Sequence, residues 1–363
     1  MKKLILALLF SGAIAASAQN VTKLSATKAN DYGIAYSLPR TTVNIILHAR
    51  KTVCTPGEFY NYAERYLGPE VARKAIAKAS TRWELTGAEI YAGAEVPSGA
   101  EQYLMQFKGG QPVFVALSPM GNPLTVNSDE IPAEPKFPAM AEAQPLSATP
   151  LDDPAARYAM TEEMLQGSSL SKRAQFAANQ ILQLRQSRQD YLTGEADQMP
   201  DGQALTLILQ NLQAQEEALT AMFIGTTQTA TDCIRLTYVP AADAPANDHV
   251  IARLNSLTGF VDADDLSGAP IYLNSNVLSR GKLPLNEKGV EKVFPKGGVP
   301  YCIPGTASFA VDFDGRTMRS ATFDVAQLGV VFGLDPAFFT NKKAPGYAIF
   351  DPLTGALREA GTK

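Results

Sequence analysis

Two long apolar repeats in the middle of the chain predict a pair of antiparallel helices. In the first, apolar residues and alanines recur at three- and four-residue steps from Ser171 to Leu192, which places them on one side of a helix. The second runs from about Asp201 to Phe223. Gly194 favours the end of the first helix, because glycine adopts the left-handed conformation at little cost. Since fewer than ten residues connect the repeats, we expect the helices to lie side by side.

Before the repeats, a helix is predicted over residues 55–67 and a short helix over residues 154–165. Otherwise the chain on either side consists mainly of short apolar segments separated by turn residues, a pattern typical of strands. The predicted fold class is therefore α+β, with two β-rich regions flanking a long antiparallel helical hairpin. Glu216 interrupts the apolar stripe of the second helix. The hairpin is interpreted either as a structural connection or as a projecting arm that binds a partner.

A chain of 363 residues is long for one domain and suits two. Six prolines between residues 128 and 154 remove backbone donors and fix φ, so this segment is predicted to be an extended, exposed linker. The predicted parts are a signal peptide (1–18), an N-terminal β-rich region with one helix (19–127), the proline-rich linker (128–154), the helical hairpin (155–225) and a C-terminal β-rich region (226–363).

Turn signals predict two strand hairpins. Asp314-Gly315 separates two apolar segments and is a strong hairpin-turn pair, and Lys108-Gly109-Gly110 separates residues 102–107 from residues 113–117. Residues 113–124 and 347–357 share a further pattern, an apolar strand followed by proline, glycine and leucine. This likeness suggests that the two β-rich regions share a design.

The first residues of the chain predict export. Met1-Lys2-Lys3 is a positive n-region, Leu4 to Ile14 is an apolar h-region, and Ala16-Ser17-Ala18 is a cleavage site, so the mature chain is predicted to start at Gln19. The apolar run is shorter than the roughly 20 residues of a membrane span, and no second run is long enough. We therefore expect a periplasmic or extracellular protein without a transmembrane segment.

Charge and motifs exclude several classes of function. The formal charge of −4 becomes −6 once Lys2 and Lys3 are removed, which gives no general electrostatic reason to bind nucleic acid. No G-x-S-x-G, H-E-x-x-H or Walker A pattern occurs. The two histidines, His48 and His249, have no second ligand at a recognised metal spacing. The sequence thus predicts neither a cofactor nor an identifiable catalytic residue.

Three cysteines, Cys54, Cys233 and Cys302, allow at most one internal disulfide. Cys233 and Cys302 fall in the same predicted region, so this pair is the expected bridge. A catalytic thiol is disfavoured, because such a site usually needs a histidine partner and histidines are scarce.

One acidic segment offers a weak calcium candidate. Asp262, Asp264 and Asp265 lie within residues 259–268, and calcium prefers clustered oxygen ligands. The glycine and the final glutamate of an EF-hand loop are missing from their places. A solvated turn is the favoured interpretation, with a calcium site as the alternative.

Several segments, taken together and in order, resemble a family of exported Bacteroidota proteins, the domain of unknown function 4831 family. The resemblance covers almost the whole mature chain. It implies an exported protein without an established activity and supplies no catalytic residues. Cys302 stands where this family would have a basic residue, which argues against a family-wide disulfide at this position. The segments are 36–39, 56–68, 192–200, 262–270, 301–305, 326–329 and 352–357.

Three functions remain open from the sequence. The leading hypothesis is an exported cell-envelope module that binds a protein or a glycan without catalysis. The first alternative is a carboxylate-dependent hydrolase of an envelope or dietary polymer, and the second is a self-assembling structural protein.

Overall fold

Strands are the main regular elements of the structure, a computed structural model that describes residues 33–105, 113–133, 135–140, 142–243 and 246–362. The predicted signal peptide and the turn at 108–110 lie outside these residues. The strands are β1 (Ile34–Ser37), β2 (Arg40–Thr55), β3 (Ser80–Glu95), β4 (Gln102–Met105), β5 (Val115–Leu117), β6 (Pro123–Val126), β7 (Thr226–Tyr238), β8 (His249–Asn255), β9 (Gly259–Val261), β10 (Ala269–Ser279), β11 (Val299–Phe313), β12 (Arg316–Leu334), β13 (Gly346–Phe350) and β14 (Leu357–Thr362). The helices are α1 (Ala63–Leu67), α2 (Pro69–Ala72), α3 (Pro154–Ala159), α4 (Glu162–Gln166), α5 (Leu170–Thr193), α6 (Gly202–Ile224) and α7 (Pro336–Phe339).

Two sheets share one apolar core and form a half-barrel. Their strand orders are β3-β2-β7 and β12-β11-β10-β8-β9. β2 directs Val43, Ile45 and Leu47 into the core, since alternate residues of a strand point to the same face. Ile271 and Phe309 enter it from the other sheet. All five side chains are at most 1% exposed, and full burial of each contributes about 1.5–3 kcal/mol.

Strand pairing across the helical pair contradicts the predicted fold class. β7, which follows α6, pairs with β2 from Val43↔Tyr238 to Thr55↔Thr226. In the same way, β13 pairs with β6. The prediction of two β-rich regions flanking a long antiparallel helical hairpin is therefore wrong. The fold is β-rich, with 41% strand and 24% helix, and strands from both sides of the helices belong to the same sheets. Sequence alternation specifies which face of a strand is buried, but it does not specify the partner strand.

A second group of strands forms a sheet of order β14-β13-β6-β5 beside the β1–β4 pair. The hairpin predicted between residues 102–107 and 113–117 is wrong, because β4 pairs with β1 and β5 pairs with β6. The likeness between residues 113–124 and 347–357 corresponds to two hairpins that are neighbours in this sheet. The turn predicted at Asp314-Gly315 is confirmed: it connects β11 to β12, with φ angles of 50° and 71°.

The two predicted helices are present as α5 and α6. Gly194 ends α5 in the left-handed conformation, with φ at 77°. The last buried residue of α5 is Leu184, and the first buried residue of α6 is Ala218. Residues 185–217 contain no buried residue. The part of the pair nearest its connecting loop therefore extends beyond the core that holds the rest.

Glu216 interrupts the apolar stripe because it pairs with α5. Its Oε1 accepts a hydrogen bond from Arg185 Nε at 2.6 Å, and its Oε2 lies 2.9 Å from Arg188 Nη1. Only 13% of the Glu216 side chain is exposed. The ion pairs thus fix the alignment of α6 against α5 where apolar packing ends.

The proline-rich segment lies against β7. Its backbone is largely exposed, yet Gln144 N donates to Thr231 O at 2.9 Å and Ser147 N donates to Thr229 O at 2.8 Å. These bonds satisfy backbone groups on an edge of the β3-β2-β7 sheet. The segment is therefore hydrogen-bonded along this edge as well as extended.

Candidate functional site

A cleft of about 590 Å³ opens beside β1, between the β3–β4 loop and the turn that joins β5 to β6. The loop contributes residues 96–101 and the turn contributes Met120 and Gly121. The described residues that line it are Ala35, Tyr36, Ser37, Val96, Pro97, Ser98, Gly99, Ala100, Glu101, Gln102, Met120 and Gly121.

Buried polar groups hold the turn that forms one wall of the cleft. Asn122 is fully buried, and its Nδ2 donates to Pro352 O at 3.3 Å. The Ser118 hydroxyl donates to Asn122 Oδ1, and Ser118 Oγ accepts from Met120 N at 3.1 Å. Gly121 O accepts from Ser37 N at 3.2 Å. The wall is therefore connected both to β1 and to the turn between β13 and β14.

β1 presents a backbone edge on the side of this turn. In an antiparallel pair, successive residues bond alternately toward and away from the partner strand. Since Ser37 N bonds to Gly121 O, away from β4, the backbone N–H and C=O of Ala35 also point away from β4. Ala35 is exposed, and neither group has a backbone partner on that side within the described part of the chain.

Two tyrosines lie beneath the cleft with their rings packed together. The ring centroids of Tyr36 and Tyr103 are 5.7 Å apart, and the side chains are 2% and 6% exposed. Tyr36 OH donates to Pro300 O at 2.9 Å, and Tyr103 OH donates to Glu101 Oε2 at 3.1 Å. Burial raises the pKa of both phenols well above the ordinary value. Both hydroxyls therefore remain protonated donors near neutral pH.

Four of the segments that carry the family resemblance meet behind the cleft: 36–39, 301–305, 326–329 and 352–357. Thr41, just after the first segment, forms two hydrogen bonds with the Gln327 side chain. Thr41 N donates to Gln327 Oε1 at 2.9 Å, and Thr41 O accepts from Gln327 Nε2 at 2.7 Å. Cys302 N donates to Gly355 O at 3.0 Å, which links the second segment to the fourth. These segments are distant in sequence but form one hydrogen-bonded support for the cleft.

A second polar cluster lies on the outer face of β2 and β3. His48 Nε2 is 2.9 Å from Glu89 Oε1, and the Tyr91 hydroxyl donates to Glu89 Oε2. The Tyr91 hydrogen bond lowers the pKa of Glu89, and His48 and the positive charge of Arg319 act in the same direction. Glu89 is thus held as an anion. The neighbours that shift its pKa include no second carboxylate, which is unlike the paired carboxylates of glycoside hydrolases.

The three aspartates of the calcium candidate lie in the turn between β9 and β10. Asp265 Oδ1 accepts from Ser267 N at 2.9 Å, and this backbone hydrogen bond lowers the pKa of Asp265. The backbone of the turn also bonds Asp265 N to Asp262 O at 3.1 Å. No group of three or more His, Cys, Asp or Glu side chains is placed to hold a metal ion in the described residues. Calcium binding by Asp262, Asp264 and Asp265 stays a prediction.

The expected Cys233–Cys302 disulfide is wrong, because no bond joins these thiols. The two cysteines lie in different sheets, on β7 and β11. Burial, followed by the charge of Asp324, raises the pKa of Cys302 to about 12. Its thiol therefore stays protonated and is a poor nucleophile.

Comparison with protein families gives a match over most of the chain. The model described as "Domain of unknown function (DUF4831)" matches residues 32–358. The chain belongs to this family. The membership predicted from sequence segments is thereby confirmed, whereas export and an origin in Bacteroidota stay predictions. The matched region begins after the predicted signal peptide. Comparison with curated proteins and with solved structures returned no match.

The cleft of this DUF4831 chain was missed by sequence reasoning, which named none of Ser98, Glu101 and Met120 as functional. Two signals did point to its neighbourhood: the 36–39 segment and the proline–glycine pattern of residues 113–124. No helix in the described part of the chain is long and apolar enough to cross a membrane.

Proposed function

We propose that this protein is an exported, non-enzymatic binding module that holds an extended segment of a partner protein in the cleft. The observation that carries the proposal is the edge of β1. An extended peptide can pair with the backbone of Ala35, as peptides do when they add a strand to an exposed sheet edge. Alternate side chains of the peptide would then contact the β3–β4 loop and the turn at Met120.

The chemistry of the cleft favours a protein segment over a glycan. A sugar that stacks on an aromatic ring needs an exposed ring face, but Tyr36 and Tyr103 are buried against each other. The apolar contribution comes from Met120, which is 43% exposed, with Val96 and Pro97 beside it. Methionine is enriched at protein interfaces and adapts its shape to different side chains.

The cleft also favours binding over hydrolysis. Of the described residues that line it, Glu101 alone carries a carboxylate. Cleavage of a glycosidic bond uses two carboxyl groups about 5–9.5 Å apart. The buried phenols cannot replace the second group as a base near neutral pH, because burial keeps both protonated.

The signal sequence supports export of this module to the periplasm or the cell exterior. A basic start, an apolar run and an Ala16-Ser17-Ala18 site are the features that export and cleavage need. Mass spectrometry of the protein purified from cells should find Gln19 as its first residue. A chain that keeps residues 1–18 and stays in the cytoplasm would refute the export proposal.

Site-specific photocrosslinking in intact cells tests the binding proposal. A photoreactive residue would replace Ser98 in the loop or Met120 in the turn. A third copy would carry it at Arg316, in the β11–β12 hairpin, as the control position. We expect the same partner protein from the two cleft positions and not from Arg316.

A matched pair of substitutions makes the test specific. Met120→Glu places a charge in the cleft, whereas Leu266→Glu makes the same change at a side chain that is 80% exposed in the β9–β10 turn. The partner should be lost from Ser98 crosslinks in the first variant and kept in the second. Equal partners from all three crosslinking positions, or none from the cleft, would contradict the proposal.

A further inference from the structure

The connection between β10 and β11, residues 280–298, contains a small hydrogen-bonded hairpin. Asn286 N donates to Val290 O at 2.8 Å, and Lys292 N donates to Pro284 O at 2.8 Å. The side chain of Asn286 also accepts from Val290 N at 3.0 Å. Backbone and Asn286 hydrogen bonds thus set the shape of this connection, here called the lysine hairpin.

Both ends of the lysine hairpin are attached to the half-barrel. Gly281 N donates to Leu328 O at 3.1 Å. At the other end, the Phe294 ring packs against Phe332, with centroids 6.0 Å apart. A Cβ at residue 333 would collide with the Phe294 ring, and the glycine at this position leaves room for the ring to pack there. The hairpin therefore has a defined position on the molecule.

Three apolar side chains of the lysine hairpin remain in water despite this defined position. Leu285 is 57% exposed, Val290 is 60% exposed and Val293 is 89% exposed. An ordered segment with several exposed apolar residues close together is typical of a surface that binds something.

The charge of the same segment is opposite to that of the whole chain. Residues 280–298 contain five basic and two acidic residues, a net charge of +3, whereas the chain carries −4. The structure shows no ion pair between any of its lysines and a carboxylate of the described residues. The basic residues are Arg280, Lys282, Lys288, Lys292 and Lys296.

We propose that the lysine hairpin docks on an anionic lipid surface. Val290 and Val293 would enter the boundary between headgroups and acyl chains, and the lysines would lie beside the phosphates. Exposed apolar residues lie here among lysines that form no ion pair with a carboxylate of the described residues. They match both parts of such a surface, since apolar burial and attraction to anionic headgroups act together.

Vesicle co-sedimentation tests this proposal. The chain from Gln19 onward would be used, because the apolar run at Leu4 to Ile14 would itself bind vesicles. We expect binding to vesicles that contain phosphatidylglycerol, little binding to pure phosphatidylcholine, and weaker binding at high salt. Lys288→Glu with Lys292→Glu should reduce partitioning at least about 25-fold, since each basic residue contributes roughly fivefold.

Val293→Asp should reduce partitioning about tenfold, because a buried valine contributes about that much to binding. Two matched controls should bind like the unmodified chain. The first is Lys342→Glu with Lys343→Glu, an equal reversal of charge at an exposed lysine pair, and the second is Leu266→Asp. All variants should keep the melting temperature, because every altered side chain is exposed.

Three results would overturn the proposal. One is equal binding to anionic and neutral vesicles, and another is an equal loss in the control variants. The third is an absence of vesicle binding together with either of two other findings. These are self-association, measured by light scattering, that Val293→Asp abolishes, and binding of the hairpin to soluble polyglutamate. In that case the surface would bind a second copy or an acidic protein instead of a lipid.

Discussion

Replacing Asn122 by alanine should destabilise the turn that forms one wall of the cleft. Asn122 is fully buried, donates to Pro352 O and accepts from the Ser118 hydroxyl. It therefore joins the β5–β6 turn to the β13–β14 turn. Alanine removes both hydrogen bonds and leaves the Ser118 hydroxyl, in a residue that is 6% exposed, without its acceptor.

The size of this effect follows from the two lost bonds. A hydrogen bond contributes about 1 kcal/mol net, and a buried polar group left without a partner costs about 1–3 kcal/mol. Asn122→Ala should therefore lower the free energy of unfolding by about 2–4 kcal/mol. Ser118→Ala removes one of the same bonds, so the two substitutions should be non-additive by about 1 kcal/mol.

Urea denaturation of the single variants and the double variant measures both quantities, with the dependence on urea expected to stay unchanged. Asn179→Ala, at an exposed position on α5, is the control and should cause no loss. Hydrogen exchange at the Ser37 amide, which bonds to Gly121 O, should accelerate in Asn122→Ala. A loss below about 1 kcal/mol, or full additivity with Ser118→Ala, would refute the reasoning.

Three further perturbations test other parts of the structure. A Cβ at Gly329 would lie 2.3 Å from Ile303 O, so Gly329→Ala should lower the free energy of unfolding, measured by thermal denaturation, by about 1–3 kcal/mol. Gly87→Ala is the control, because the space there is open, and it should change the free energy of unfolding by no more than about 0.5 kcal/mol. Replacing residues 189–213 by a short linker removes no buried residue, so it should cost less stability than the single change Leu184→Ala. Leu184→Ala should lower the free energy of unfolding by about 2–5 kcal/mol. A larger loss on shortening would show that the projecting part of the helical pair supports the core. Hydrogen bonding lowers the folded-state pKa of Glu89 below its ordinary value of 4.5, so its network stabilises the fold fully at pH values above 4.5 and loses this contribution as the pH falls through the folded-state pKa. Glu89→Gln should therefore weaken the dependence of the melting temperature on acid pH. An unchanged dependence would contradict this.

Features set by a few neighbouring residues were predictable from the sequence. The apolar spacing and Gly194 correctly indicated α5 and its left-handed end. Asp314-Gly315 correctly indicated a hairpin, because a tight turn with two positive φ angles favours this pair. In each case the decisive interaction lies within a few positions of the signal.

Features set by distant residues were not predictable. Val43 pairs with Tyr238 across the whole helical insertion, and nothing in either strand specifies the other. The cleft depends on such pairings, since its wall needs Asn122 beside Pro352 and its floor needs Tyr36 beside Pro300. Even the Glu216 interruption, visible in the sequence, is explained only by the structure, where Arg185 and Arg188 on the facing helix pair with it.

The two proposed binding surfaces are connected through the start of β11. The lysine hairpin ends at Gly298, and Pro300, two residues later, accepts the hydrogen bond from Tyr36 beneath the cleft. Val293, which would enter the lipid, precedes Pro300 by seven residues, and seven residues span at most about 25 Å. A lipid-docked hairpin would therefore hold the cleft floor within about 25 Å of the residues that enter the lipid. A partner segment bound at β1 would then be captured beside the lipid. This arrangement suits a partner that is itself anchored in that membrane, and it predicts that Val293→Asp lowers crosslinking from Ser98 in cells but leaves binding of the purified partner unchanged.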